Sequence, residues 1–117
     1  MNDSIRRYAW ITNNFLHDMG TGTWAAALLV TLVLRDRLAG IPAQAAAALG
    51  DAMLSVFWLG VVALVVITVT GAVRLLYWRK QASPEELVQK RRALIVKHIA
   101  FLLIYGGGTW WMWTLIP

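Results

Sequence analysis

Cysteine is absent from the sequence. Its absence excludes disulfide frameworks, thiolate zinc sites, iron–sulfur clusters, cysteine nucleophiles and covalent c-type haem attachment. Charge is also scarce: 15% of residues are charged, where a soluble domain carries about 25%. Histidine occurs only twice, as His17 and His98. There is no Gly-rich phosphate loop, no nucleophile–base pair and no carboxylate dyad within an apolar stretch; Asp18 is the one acidic residue there, and it reads as alone. Catalysis by the chain itself is poorly supported.

What fills the chain instead is apolar. Hydrophobic residues make up 59%, and the mean hydropathy is +0.59. Too few polar residues remain to cover a water-facing surface, so soluble, disordered and fibrous classes are excluded. Residues 52–73 and 99–117 carry no charge, and each run is close to the roughly 20 helical residues that cross a hydrocarbon core. A third candidate runs from about 8 to 34. Its second half is free of charge, while its first half holds Asn13, Asn14, His17 and Asp18. Polar groups at membrane depth seldom face lipid, so this reads as a span with a polar inner face. Those same residues, and the lack of a small-residue cleavage site, argue against a cleaved signal peptide.

The predicted fold is therefore all-α: a bundle of three transmembrane helices, about 8–34, 52–78 and 93–116, in one integral membrane domain covering 1–117. Gly40-Ile41-Pro42 breaks the chain after the first span, and 43–49 is predicted to form a short separate helix. Ser83-Pro84-Glu85-Glu86 reads as N-cap, N1 proline and capping-box glutamate. The third helix thus starts in water and enters the membrane near Ala93, after a cytoplasmic loop at 79–92.

Orientation follows from the cations. Arg6, Arg7, Arg74, Arg79, Lys80, Lys90, Arg91, Arg92 and Lys97 fall on one side, and Arg35 and Arg37 on the other. By the positive-inside rule the N-terminus is cytoplasmic and the C-terminus outside. Trp110, Trp111 and Trp113 then form an outer aromatic belt, with Trp10, Tyr77 and Trp78 at the inner interface. The net charge of +5 is an orientation signal for an inner-membrane, multi-pass chain. It suits anionic lipid headgroups and does not suggest nucleic acid.

His17 lies ten residues after Arg7, about 15 Å along a helix, and His98 six after Arg92, about 9 Å. Both fall in the inner half of the membrane, at levels differing by roughly one turn. Two neutral imidazoles on facing helices are what an axially ligated b-type haem needs. Gly20, Gly71 and Gly106 would let a flat macrocycle approach the backbone. Arg74 would pair with a propionate. Asn13 or Thr21, at i−4 and i+4 from His17, would order the other ring nitrogen. The alternative reading is interhelical packing alone, with each histidine a hydrogen-bond partner and the glycines small-residue contacts.

The first span reads Leu16-His17-Asp18-Met19-Gly20-Thr21-Gly22-Thr23-Trp24, the second ends Val69-Thr70-Gly71-Ala72-Val73, and the third contains Val96-Lys97-His98-Ile99-Ala100-Phe101-Leu102-Leu103. In these segments the chain resembles the CopD-type copper-resistance proteins and is similar to the HemJ-type protoporphyrinogen oxidases, bacterial inner-membrane proteins. The resemblance implies a helical bundle that binds haem or a related porphyrin, with His17 and Lys97 at the family's His and Lys positions. These proteins usually have four or more spans, and Ala25-Ala26-Ala27-Leu28-Leu29 stands where the HemJ type has a Tyr/Pro/Arg-rich continuation. His17 and Met19, two residues apart, do not share a helix face, which argues against a preformed copper site.

The leading expectation is a small cytochrome b-like membrane subunit. It would bind haem b, or another tetrapyrrole, through His17 and His98, with Gly20, Gly71, Arg74 and Lys97 around it. It would carry electrons within a larger membrane complex or as a homodimer. The alternatives are a HemJ-like porphyrin-oxidising enzyme, a cofactor-free structural subunit of a respiratory or photosynthetic complex, and CopD-like copper transport.

Overall fold

The structure is a computed structural model that describes residues 2–81 and 83–117, with side chains described outside 78–81 and 87–89. It is 91% helical and has no strand among the described residues. Helix α1 spans Asp3–Asp36, α2 spans Ala43–Gln81, α3 spans Pro84–Phe101, and α4 spans Gly107–Leu115, with a π-helical turn at Leu102–Gly106 between the last two. Two stretches, Ala43–Tyr77 and Lys90–Leu115, are long and apolar enough to cross a membrane.

The helix ends follow local chemistry. The Asn2 side chain accepts a hydrogen bond from the Ser4 amide at the start of α1, and Asp3 and Arg35 complement the helix dipole at its two ends. Gly40 turns the chain with φ +80, a conformation open to glycine. The Ser83 hydroxyl accepts from the Glu86 amide at 3.3 Å, capping α3 behind Pro84. Only Ala82 and Ser83 lie between α2 and α3, so the expected 79–92 loop is largely helix. The side chains of Trp78, Arg79 and Lys80, assigned above to the inner interface, lie outside the described residues.

The separate helix expected at 43–49 does not form. The alanine-rich start of α2 has high helix propensity, and Gly50 costs about 1 kcal/mol of it without breaking the helix. Gly50 packs against Pro117: a Cβ there would come within 3.1 Å of the proline ring.

α1 and α2 form an antiparallel hairpin with a tight seam. On α1 the buried residues are Gly20, Trp24, Ala27 and Thr31, one stripe at helical spacing. Facing them on α2 are Met53, Phe57, Ala63 and Ile67. Small residues bring the backbones together, as in membrane helix pairs. A Cβ on Gly20 would lie 3.1 Å from Ile67 and 3.3 Å from the Ala63 carbonyl oxygen, and one on Gly60 would lie 3.4 Å from Ala27. The opposite faces expose Phe15, Val62, Val65, Val69 and Leu102, among other large apolar side chains, a surface that water would not tolerate.

Backbone angles at Phe101, Leu102, Gly106 and Gly107 are all right-handed helical. α3, the π turn and α4 therefore make one continuous rod. The π turn admits one extra residue, which rotates the faces before and after it by about 100°. Three successive glycines weaken the regular helix just after it, by about 1 kcal/mol each. Only the α4 end of this rod packs on the hairpin. α3 meets α1 and α2 through isolated contacts at most, and the molecule is a slab of 61 × 32 × 14 Å. The expected three-helix bundle is thus open along α3.

The junction is made by Trp24. Its ring packs with Ala63, Ile67 and Tyr105, and its indole N–H donates to the Thr109 hydroxyl at 3.1 Å. Gly108 supplies the slot: a Cβ there would sit 2.6 Å from the ring. Met112 and Ala27 extend the contact with Phe57. Gly107, one residue away, faces open space. Gly108→Ala is therefore expected to destabilise the folded protein by about 1–3 kcal/mol through overpacking. Gly107→Ala is expected to be neutral or stabilising by up to about 1 kcal/mol from helix propensity. Denaturant titration of the detergent-solubilised variants, followed by tryptophan fluorescence, checks the pair.

Candidate functional site

The polar residues of α1 meet α2 in one seam. Asn13 and His17 are four residues apart, as are Asn14 and Asp18, and on α2 so are Thr70 and Arg74. Each pair lies on one helix face. Asn13 Nδ2 donates to the Thr70 carbonyl oxygen at 3.1 Å. Arg74 Nε donates to Asn14 Oδ1 at 2.8 Å, and its Nη2 lies 3.5 Å from both the Asn14 carbonyl oxygen and Asp18 Oδ1. Interhelical hydrogen bonds in membranes contribute about 0.6 kcal/mol each. The seam therefore fixes the register of α1 on α2 more than it adds stability.

His17 Nδ1 lies 2.8 Å from the Thr70 hydroxyl. That hydroxyl gives its single proton to helix carbonyls, the Val66 oxygen at 2.6 Å and the Ile67 oxygen at 3.2 Å. With that proton on a helix carbonyl the hydroxyl accepts from the imidazole, an arrangement that puts the proton of the neutral His17 ring on Nδ1 and the lone pair on Nε2. His98 reaches the same state differently. Its Nδ1 is 2.6 Å from the Leu94 carbonyl oxygen on its own helix; a carbonyl only accepts, and Nε2 is again the free nitrogen. Both histidines are thus arranged as metal-ligating histidines are, with one nitrogen anchored and the other available.

The splay of α3 from the hairpin opens a cleft of about 650 Å³, well inside the range of small-molecule and cofactor sites. His17 and Arg74 line it from the hairpin, Lys97 and His98 from α3, and Gly71 and Gly106 leave gaps in its walls. The remaining wall is mainly apolar and includes Ile67, Leu75, Leu94, Phe101 and Leu102. Gly71 lies beside the imidazole, where a Cβ would be 3.5 Å from His17 Cε1; at Gly106 a Cβ would meet nothing within 4 Å. The Lys97 ammonium is 5.7 Å from the centroid of the Phe101 ring, within cation–π range.

The structure redistributes several roles expected from the sequence. Gly20 packs α1 on α2 and is not among the residues lining the cleft. Asn13 bonds the Thr70 carbonyl and Thr21 bonds the Asp18 carbonyl oxygen on its own helix at 2.7 Å, so neither orders His17. Arg74 is engaged by Asn14 and, at 3.5 Å, by Asp18. Trp10 and Tyr77 stack at 4.3 Å across the hairpin. Of the glycine clusters, Gly20 and Gly108 make close contacts, whereas Gly22, Gly106 and Gly107 do not. Sequence reasoning missed Thr70. Its signal is a hydroxyl four residues before the first arginine of an apolar helix, on the arginine's face. The described residues assemble no group of three or more His, Cys, Asp or Glu side chains of the kind that holds a metal ion by itself.

Comparison with protein-family models, curated proteins and solved structures finds no match to this chain.

Proposed function

We propose that the chain is a small cytochrome b-like subunit of a bacterial inner membrane, binding haem b in the cleft between the α1–α2 hairpin and α3. In this reading all three helical rods span the bilayer, with the N-terminus and the α2–α3 turn cytoplasmic and the C-terminus outside. The observation that carries the reading is the paired state of the histidines. Both line one cleft, and each holds Nδ1 in a hydrogen bond that leaves Nε2 free.

The donor set fits the group. Two imidazole nitrogens suit axial haem iron, the apolar walls suit the macrocycle, and Gly71 and Gly106 leave room for its edge. Lys97 and the part of Arg74 not committed to Asn14 and Asp18 supply positive charge for propionates. Bound haem would supply one-electron redox chemistry. The chain's own part is to bind it, set its axial ligands and shield it from water. Electrons would pass to or from a quinone or a partner subunit, and the open side of the cleft leaves a wall for such a partner or a second copy to complete.

One observation favours a second reading, a cofactor-free structural subunit. The polar side chains of the α1–α2 seam satisfy one another, and no buried side-chain polar atom among the described residues lacks a partner. Porphyrin oxidation with Lys97 and His17, and copper transport, have no comparable support.

In the native protein a reduced-minus-oxidised spectrum is expected to show a b-type α band, and His17→Ala and His98→Ala are each expected to abolish it. Thr70→Val is the sharper variant, because it removes the hydroxyl that anchors the imidazole and keeps the carbonyl that binds Asn13. It is expected to lower haem affinity about 10–100-fold, the usual effect of losing a ligand's hydrogen-bond partner, without unfolding the protein. An unchanged spectrum in His17→Ala overturns the haem reading.

The absence of cysteine makes topology directly measurable. In spheroplasts a membrane-impermeant maleimide is expected to label Gln44→Cys at once and Ser83→Cys only after permeabilisation. Labelling of Ser83→Cys from outside overturns the orientation.

A further inference from the structure

Helix α3 carries a second recess, lined among the described residues by α3 alone. Lys90, Ala93, Leu94 and Lys97 enclose about 210 Å³. Their spacing of three, four and seven residues places them on one side of the helix. The two lysine backbones thus stand about 10 Å apart along the axis, at either end of an apolar floor. Leu94 and Lys97 also line the large cleft, so the recess and the cleft adjoin.

The charge here is uncompensated. Lys90, Arg91, Arg92 and Lys97 are all exposed, and among the described residues the one ion pair joins Arg74 to Asp18. Glu85 and Glu86, the acidic residues of the same helix, reach no described cation at ion-pair distance. Beyond His98 the rod carries no charged residue, and its most apolar window is entirely unburied in the chain. Lys97 does not extend back toward the helix start as a snorkelling lysine would; its ammonium lies over Phe101, one turn deeper. A positive rim above an apolar wall matches an amphiphile with an anionic head and long hydrocarbon tails. An acidic protein would find charge here, but no complementary use for the apolar floor.

We infer that an anionic phospholipid binds this face of α3. Its phosphate lies between Lys90 and Lys97, the exposed Lys97 side chain turning back from Phe101 to reach it, and its acyl chains run along Leu94 to close the open side of the cleft. The inference rests on α3 entering the membrane near Ala93 and not on haem, and the cysteine labelling above tests that entry separately.

The test uses the full chain reconstituted in phosphatidylcholine nanodiscs with and without phosphatidylglycerol. Lipid that stays with the protein is then counted by native mass spectrometry. Wild type is expected to retain phosphatidylglycerol in preference to phosphatidylcholine. The Lys90→Gln/Lys97→Gln double variant is expected to lose that preference by at least about tenfold, the loss of charge-assisted contacts to one phosphate. Lys90→Arg/Lys97→Arg is expected to keep it. Arg6→Gln/Arg7→Gln, which removes the same charge elsewhere on the same side, is expected to leave it within about twofold, within the spread of a nonspecific surface effect. Equal losses in the two glutamine variants would mean diffuse attraction and overturn the site. So would full retention by Lys90→Gln/Lys97→Gln, or an acidic protein held at this face in place of lipid.

Discussion

The ring of Trp24 occupies the slot left by the missing side chain of Gly108, and this contact determines where the third rod stands. The rod is fastened at its C-terminal end, by Trp24, Thr109 and Met112. At its other end α3 has no comparable attachment to the hairpin. The rod is packed on the hairpin at one end and joined to it at the other only through the short α2–α3 connection, and the space left between is the cleft. The π turn at Leu102–Gly106 lies between the fastened and free parts. It reorients the face of α3 relative to that of α4, so that one continuous rod both packs on Trp24 and presents His98 and Lys97 to the opening.

Polar satisfaction governs the wall opposite. An unpaired amide or imidazole in hydrocarbon is costly, so Asn13, Asn14, His17 and Asp18 find their partners on α2. Thr70 has the central place. When its hydroxyl donates to its own helix it serves His17 as acceptor. That constraint, which no single residue carries alone, leaves Nε2 of His17 free. The α1–α2 seam is therefore both the source of helix register and the device that sets the state of a candidate ligand. The same economy explains why the structural reading and the haem reading share so many residues.

Much of the fold was legible because it depends on composition along one dimension. Helical class, the two long apolar stretches, the Ser83 cap and the break at Gly40 follow from local propensity, length and charge. The continuity of α2 through Gly50 was not legible, because glycine there is explained by Pro117, which is distant in sequence. Nor was the slot at Gly108 distinguishable from its neighbours Gly106 and Gly107, since only the three-dimensional contact with Trp24 separates them. The openness along α3 was hidden for the same reason. Apolar faces read alike whether they meet another helix or lipid.

For the site, depth arithmetic places His17 and His98 at comparable levels, and the structure sets both on one cleft with Gly71, Arg74 and Lys97. What residue spacing could not carry was the choice of hydrogen-bond partner: proximity in sequence favoured Asn13 and Thr21 for His17, while the fold supplied Thr70. The central claim is that two histidines prepared on Nδ1 hold an iron porphyrin. The pyridine haemochrome of the assembly purified in detergent from its native membrane tests it most directly. Protohaem, equimolar with the chain, is the result that follows from the cleft. A folded chain from that membrane with no haemochrome would contradict it and leave the seam as structure alone.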